Sequence, residues 1–190
     1  MEKTKANDVG RGWRDKIRPE LESRIDEDGE PLYIFDPTQE EQSKVGMDSH
    51  QFHKKLNGWI KAGNNDLISD HTDLIWRGKD YLEPVEPGTT KLIHIMGDID
   101  YVKNSDFLIL RQEEGDEPCG TYGEAFLAYM HHIPVYVLQT MNREKYPVTL
   151  VGWVFGSGGG FFANQNQLME FLDKKYKLKI NKAYVEANAA

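Results

Sequence analysis

Residues 104–138 read NSDFLILRQEEGDEPCGTYGEAFLAYMHHIPVYVL, and this stretch decides the fold. An apolar run at 106–110 predicts a buried strand, and the Pro-Val run at 134–138 predicts the next one. Between them lie an acidic loop at 112–118 and a helix predicted over 121–131. Two strands joined by a helix predict parallel pairing within one sheet.

The rest of the chain continues this alternation of helices and strands. Helices are predicted over 11–25, where Pro19 bends or restarts the helix, and over 49–62, 89–104 and 165–176; strands over 32–35 and 148–154; and a partly helical excursion over 63–90. Such alternation predicts a three-layer α/β fold with a mainly parallel central sheet. We expect one domain over 1–180, followed by a loosely ordered tail at 181–190.

Composition and charge exclude several classes of partner. The 190-residue chain carries 31 acidic and 23 basic side chains, a formal charge of −8 that repels a phosphate backbone, so no nucleic-acid partner is expected. No apolar run reaches about 18 residues and the chain opens without an export signal, so no membrane partner is expected either. Cys119 is the single cysteine, which excludes an internal disulfide and fits a reducing, cytoplasmic compartment.

Two acids flank the first predicted strand of this stretch. Asp98 and Glu124 lie 26 positions apart (124 − 98). Open α/β sheets keep their chemistry at the C-terminal ends of strands, where Glu124 is expected. Each acid also has a simpler interpretation. Thr121 and Glu124 match the capping box S/T-x-x-E that begins a helix, and Asp98 could be a solvated acid beside Asp100.

A glycine-rich loop at 156–160 is a second candidate site. It follows a predicted strand and precedes a helix, as phosphate-binding loops do. It lacks the P-loop lysine and does not complete the G-x-G-x-x-G pattern, so an ordinary loop is the favoured interpretation. The sequence contains no paired-cysteine metal motif.

Taken together, these features resemble the nucleoside 2-deoxyribosyltransferase family. An Asp early in a helix, the strand beginning Asn104-Ser105-Asp106, an acidic loop, the G-T-x-x-E element and a Pro-Val strand follow in the family's order. Upstream, Gly12-Trp13-Arg14 and Phe35-Asp36-Pro37 resemble its W-R helix and D-P turn. The resemblance covers roughly residues 10–175. It implies a flavodoxin-like or Rossmann-like sandwich.

The resemblance also implies a reaction, the transfer of 2-deoxyribose between nucleobases. Glu124 would be the nucleophile that forms a covalent glycosyl intermediate, and Asp98 the general acid/base, about 5 Å away. The substrate-binding residues implied are Asp116, Gly120, Thr121, Tyr122 and Thr149. Two carboxylates are enough for this chemistry, so no metal or organic cofactor is expected. Relatives complete each site with a neighbouring subunit, which implies a homo-oligomer.

The chain departs from the family at several positions. The chain starts after the point where the first family strand would lie, so either the fold lacks this strand or the start is internal to a longer protein. Pro118 replaces an Asp for which Asp116 and Glu117 are possible substitutes. Thr149 replaces an Asn, and the chain ends Asn188-Ala189-Ala190 instead of in an aromatic residue. Two alternatives therefore stay open: hydrolysis of a deoxynucleoside 5′-monophosphate, and a catalytically silent nucleotide-binding protein.

Overall fold

The computed structural model describes residues 11–36, 46, 49–86, 88–112 and 119–188. Its helices are α1 (Arg11–Glu22), α2 (Ser49–Ala62), α3 (Asn65–Trp76), α4 (Asp98–Lys103), α5 (Cys119–Met130), α6 (Val148–Gly156), α7 (Gln165–Lys175) and α8 (Lys182–Ala187). Its strands are β1 (Arg24–Ile25), β2 (Gly78–Glu86), β3 (Thr89–Met96), β4 (Leu108–Gln112), β5 (Val135–Gln139), β6 (Gly160–Phe162) and β7 (Lys179–Ile180). No helix within these ranges is long and apolar enough to cross a membrane.

A parallel sheet in the order β4-β5-β6 forms the centre of the fold. The β-branched and aromatic run of β5 suits the middle strand, where four consecutive side chains are buried. Successive side chains of a strand point to opposite faces. Val135 and Val137 therefore join one hydrophobic core, and Tyr136 joins the other.

Helices cover both faces of this sheet. On one face, α5 and α6 bury Ala125, Ala128, Leu150 and Val154 in the core that contains Val135. The two alanines are fully buried, and their small side chains let α5 lie close to the strands. The other face is covered by α1 and α7, whose buried side chains are Ile17, Leu21, Leu168, Met169 and Leu172. The three-layer, flavodoxin-like α/β prediction is confirmed.

The outer edge of β4 pairs with no other strand of the described residues. Leu108 donates its backbone N–H to Pro134 O of the β5 side at 2.9 Å. Backbone groups of alternate residues in a strand point to opposite edges. The N–H and C=O of Ile109 are therefore directed to the outer edge of the sheet.

The strand predicted at 32–35 is wrong. Residues 32–36 form no strand, and the nearest pairing is an isolated bridge between Pro31 and Ile25. Leu32 and Ile34 pack on the core around α1, whereas Tyr33 is 80% exposed. The alternation of apolar and exposed side chains is strand-like, but a strand also needs a ladder of backbone hydrogen bonds. Within the described residues this segment forms no such ladder, although its Leu32 N–H bonds to Arg24 O at 3.4 Å.

Two segments have the opposite type of secondary structure from the one predicted. The strand predicted at 148–154 is helix α6, which follows Pro147 at its N-cap. Its buried Leu150 and Val154 lie four positions apart, a spacing that places them on one side of a helix. A short apolar run cannot be assigned to strand or helix by periodicity alone.

The helix predicted over 89–104 is strand β3 followed by the short helix α4. Strand β3 forms an antiparallel hairpin with β2, in which Leu82 lies opposite Leu92. Threonine and isoleucine in β3 favour this extended conformation. The partly helical excursion predicted over 63–90 contains α3, as expected, and also β2, which was not predicted.

The C-terminal segment is also more regular than predicted. Strand β7 pairs with β1, so Ile25 lies in a strand and α1 ends at Glu22. Helix α8 follows where a loosely ordered tail was predicted, and its Tyr184 hydroxyl donates to Glu22 Oε2 at 2.8 Å. These contacts attach residues 179–187 to the end of α1.

Candidate functional site

A cavity of about 520 Å³ extends along the outer edge of β4. One wall is formed by eight consecutive residues, 104–111, and the opposite wall by the segment 32–36 and helix α1. Residues of α4 and of the N-terminal half of α5 also line the cavity. The cavity therefore occupies the space beside the unpaired edge of the sheet.

Asp98 and Glu124 both line this cavity. Helix α5 follows β4, so its N-terminal part lies at the carboxyl end of the parallel strands. The chain reverses direction between α4 and β4. The first residue of α4 therefore also lies at the carboxyl end of the parallel strands. This edge is where open α/β sheets bind their ligands. The two acids that the sequence selected therefore line the same cavity.

Asp98 is the first residue of α4 and is only 3% exposed. The turn that holds it is closed by Asp100, whose carboxylate accepts the N–H of Gly97 at 3.0 Å. In return, the N–H of Asp100 bonds to Gly97 O at 3.0 Å. Asp98 therefore sits on a hydrogen-bonded helical turn, where the helix dipole favours an acid.

Glu124 lies in the second turn of α5, because this helix begins at Cys119. Thr121 is therefore inside the first turn and not at the N-cap, so the capping-box interpretation does not fit. A Cβ added to Gly123 would lie 3.1 Å from the ring of Trp76. The glycine of this motif thus lets α3 pack closely against α5.

The predicted substrate-binding residues divide into two groups. Thr121 lines the cavity, and Gly120 lies beside it in the first turn of α5. Tyr122 instead packs on the core, and its hydroxyl accepts Gln112 Nε2 at 3.3 Å. Asp116 lies outside the described residues.

Thr149 is an exposed residue of α6 and does not line the cavity. Its prediction as a substrate contact relied on a strand at 148–154, and the helix found there turns it to the protein surface. This assignment is therefore corrected.

Arginine side chains, which the sequence interpretation did not assign, occupy the cavity wall. Asp36 is 6% exposed and pairs with Arg14 Nε at 3.5 Å and with Arg18 Nη2 at 3.7 Å. Arg111 also lines the cavity. The W-R and D-P motifs were the signal available in the sequence, since they supply Arg14 and Asp36.

An aromatic pair connects two walls of the cavity. The rings of Phe35 and Tyr101 stack with centroids 3.6 Å apart and planes 11° from parallel. Both side chains line the cavity. Nothing in the sequence predicted this contact, because it joins an irregular segment to α4.

The glycine-rich loop at 156–160 lies at the opposite end of the sheet. Ser157 Oγ donates to Val154 O at 2.8 Å and accepts the N–H of Val135, the first residue of β5, at 3.1 Å. A Cβ on Gly159 would collide with the backbone of Val135. These glycines allow the close approach of loop and strand. They lie far along β5 from the edge that carries the two acids.

Within the described ranges, no group of three or more His, Cys, Asp or Glu side chains is arranged to hold a metal ion. No family model, curated protein or solved structure matches this chain.

Proposed function

We propose that this protein acts on the N-glycosidic bond of a nucleoside or deoxynucleotide and transfers 2-deoxyribose between nucleobases. The observation that carries the proposal is the presence of Asp98 and Glu124 on the wall of one cavity, at the carboxyl edge of a parallel sheet. Membership of the nucleoside 2-deoxyribosyltransferase family is part of this proposal.

The chemistry divides between the two acids. The Glu124 carboxylate attacks C1′ as the bond from C1′ to the base nitrogen breaks, and Asp98 gives its proton to the departing base. The sugar is then held as an ester of Glu124. An incoming base returns a proton to Asp98 and displaces Glu124 from C1′, which restores both side chains. Retaining enzymes use such a pair of carboxyl groups, about 5 Å apart.

Hydrolysis of a deoxynucleoside 5′-monophosphate is the second candidate. Arg14, Arg18 and Arg111 on the cavity wall favour it, because guanidinium groups bind phosphate through paired hydrogen bonds. The glycine-rich loop, which lies at the other end of the sheet, is not needed for this role. Water would replace the incoming base in the second step.

A catalytically silent nucleotide-binding protein is the third candidate. The positions of Tyr122 and Thr149 outside the cavity favour it, because the family resemblance gave both residues substrate contacts. This candidate predicts binding of a nucleotide without any chemical change.

The deciding experiment incubates the protein with a panel of deoxynucleosides and deoxynucleoside 5′-monophosphates, with and without a second base. Chromatography of the products distinguishes exchange, hydrolysis and silence. The matched control is Asp106→Asn, which removes a carboxylate at the amino end of β4 in the same cavity and should leave turnover unchanged. Absence of both products from every substrate would refute the enzymatic proposals.

We further propose that the chain forms a homo-oligomer and acts in the cytoplasm. The family resemblance supports association, because the relatives complete each site with a neighbouring subunit. The single cysteine supports a reducing compartment. Light scattering at micromolar concentration tests the assembly, and an active monomer would refute it.

A further inference from the structure

His94 of strand β3 lies between two carboxylates from different elements. Its Nδ1 is 2.6 Å from Oδ1 of Asp80, its cross-strand neighbour on β2, and its Nε2 is 3.0 Å from Oδ2 of Asp100 on α4. Ionised carboxylates only accept hydrogen bonds, and a neutral imidazole has one N–H. Both contacts exist as hydrogen bonds only when His94 is an imidazolium.

The same oxygen of Asp100 accepts the N–H of Gly97, the residue before Asp98. The base of the hairpin lies against this turn as well. A Cβ on Gly97 would collide with the backbone of Gly78, the first residue of β2. The hairpin therefore contacts the turn that holds Asp98 in two ways, through the backbone at Gly78 and Gly97 and through the side chains of His94 and Asp100.

We propose that His94 is a positioning residue, which in its protonated form anchors the β2–β3 hairpin to the first turn of α4 and so fixes the orientation of Asp98. Without this proton, His94 can donate to one carboxylate only. It then loses its hydrogen bond either to Asp80 of the hairpin or to Asp100 of the turn. This inference rests on the proposed role of Asp98 as general acid/base.

The charges around the bridge favour the protonated form. The hydrogen bond with Asp100, and then that with Asp80, raises the pKa of His94. In turn, the hydrogen bond with His94 lowers the pKa of Asp100. The charge of Lys103 lowers it further, as the smallest of the causes. Asp80 faces His94 from β2, and Asp100 and Lys103 face the bridge from α4.

These directions define the pH range of the bridge. Because the folded state raises the pKa of His94, its contribution is complete below the unfolded value and is lost as pH rises through the raised value. The contribution of Asp100 is lost only as pH falls through its lowered pKa. The bridge therefore persists between these two limits, and its alkaline limit belongs to His94.

Hydrogen exchange and kinetics across this limit test the inference on the full chain. NMR titration gives the pKa of His94, assigned by its absence in His94→Gln. The amides of Asp100 and Tyr101, which both bond to Gly97 O, should lose protection as His94 deprotonates, after correction for intrinsic exchange. In His94→Gln their protection should be low throughout. The matched control is His71→Gln, which changes a half-buried histidine of α3 outside the bridge and should keep the transition.

The kinetic arm asks whether the same transition governs turnover. The wild-type kcat should fall a few-fold on the alkaline side of the His94 pKa with KM unchanged, and His94→Gln should show the lower kcat without that transition. If the protection of the Asp100 and Tyr101 amides did not change as His94 deprotonates, the proposed bridge would be refuted. A protection change without a matching change in kcat would overturn the positioning role. Failure of the proposed function is distinct, because it appears as absence of turnover at every pH while the exchange transition remains.

Discussion

Replacement of Glu124 by glutamine should separate catalysis from stability. The two side chains have the same shape, but an amide cannot form the ester with C1′. Loss of the nucleophile should reduce turnover at least about a thousandfold, which corresponds to about 4 kcal/mol in the activation barrier. Glu124 lies in the second turn of α5, beyond the N-cap, so we expect a change in unfolding free energy of about 0.5 kcal/mol or less.

The assay combines three measurements on Glu124→Gln and on the wild type. For a chain of this length, about 0.5 kcal/mol corresponds to a shift of roughly 1–2 °C in Tm, which thermal unfolding measures. Base exchange followed by chromatography gives the change in turnover. Mass spectrometry of rapidly quenched wild-type protein should show one added deoxyribosyl group on the peptide that contains Glu124.

The opposite outcome would refute the reasoning. If Glu124→Gln kept more than about a tenth of the wild-type turnover, the barrier would have changed by less than about 1.4 kcal/mol, too little for loss of a nucleophile. A loss of many degrees in Tm with turnover retained would instead give Glu124 a structural role.

Three other substitutions test separate parts of the structure. Gly97→Ala should destabilise the fold by about 2 kcal/mol, because the new methyl group collides with the backbone of Gly78, and urea unfolding measures the loss. Arg14→Ala should raise KM for a 5′-monophosphate by a factor of about 10 to 100 and leave KM for the nucleoside unchanged, since a charged hydrogen bond is worth about 1.5–3 kcal/mol; equal changes for both substrates would exclude a phosphate contact. Thr149→Ala should leave turnover unchanged and should alter the unfolding free energy by no more than about 0.5 kcal/mol, because its side chain is exposed on α6. A marked loss of turnover would restore the predicted substrate contact.

Elements with a strong local pattern were predictable. Helix α7 lies within one residue of its predicted range, because its buried Leu168 and Leu172 recur at helical spacing between polar ends. Strand β5 follows from four consecutive β-forming residues bounded by a proline. In both segments the preference of the local sequence agrees with the burial that the tertiary fold imposes.

Elements whose type depends on their neighbours were not predictable. Strand β3 is largely exposed and is held by β2 and α4, so its own sequence carries no burial pattern that marks a strand. Helix α6 presents a different difficulty, because its short apolar run is compatible with both a buried strand and a buried helix. Packing beneath α6 selects the helix, and sequence spacing does not report that packing.

The candidate site shows the same division. Asp98 and Glu124 were identified because their spacing around one strand placed them at the same edge of a sheet. A cleft at this edge was expected, but its lining by Arg111 and by the stacked Phe35 and Tyr101 was not, because the cavity arises where an irregular segment passes the edge of β4. Its shape depends on the distance between two elements, which no local pattern contains.

The direction of the Ile109 backbone groups has a consequence for inhibitor design. An amide-containing ligand in extended form could bond to the N–H and C=O of Ile109 as an added strand would. The two acids lie on the wall of the same cavity, so a sugar-like group on one end of such a ligand would reach them. Selectivity would then come from the peptide-like portion, which the backbone groups of Ile109 recognise.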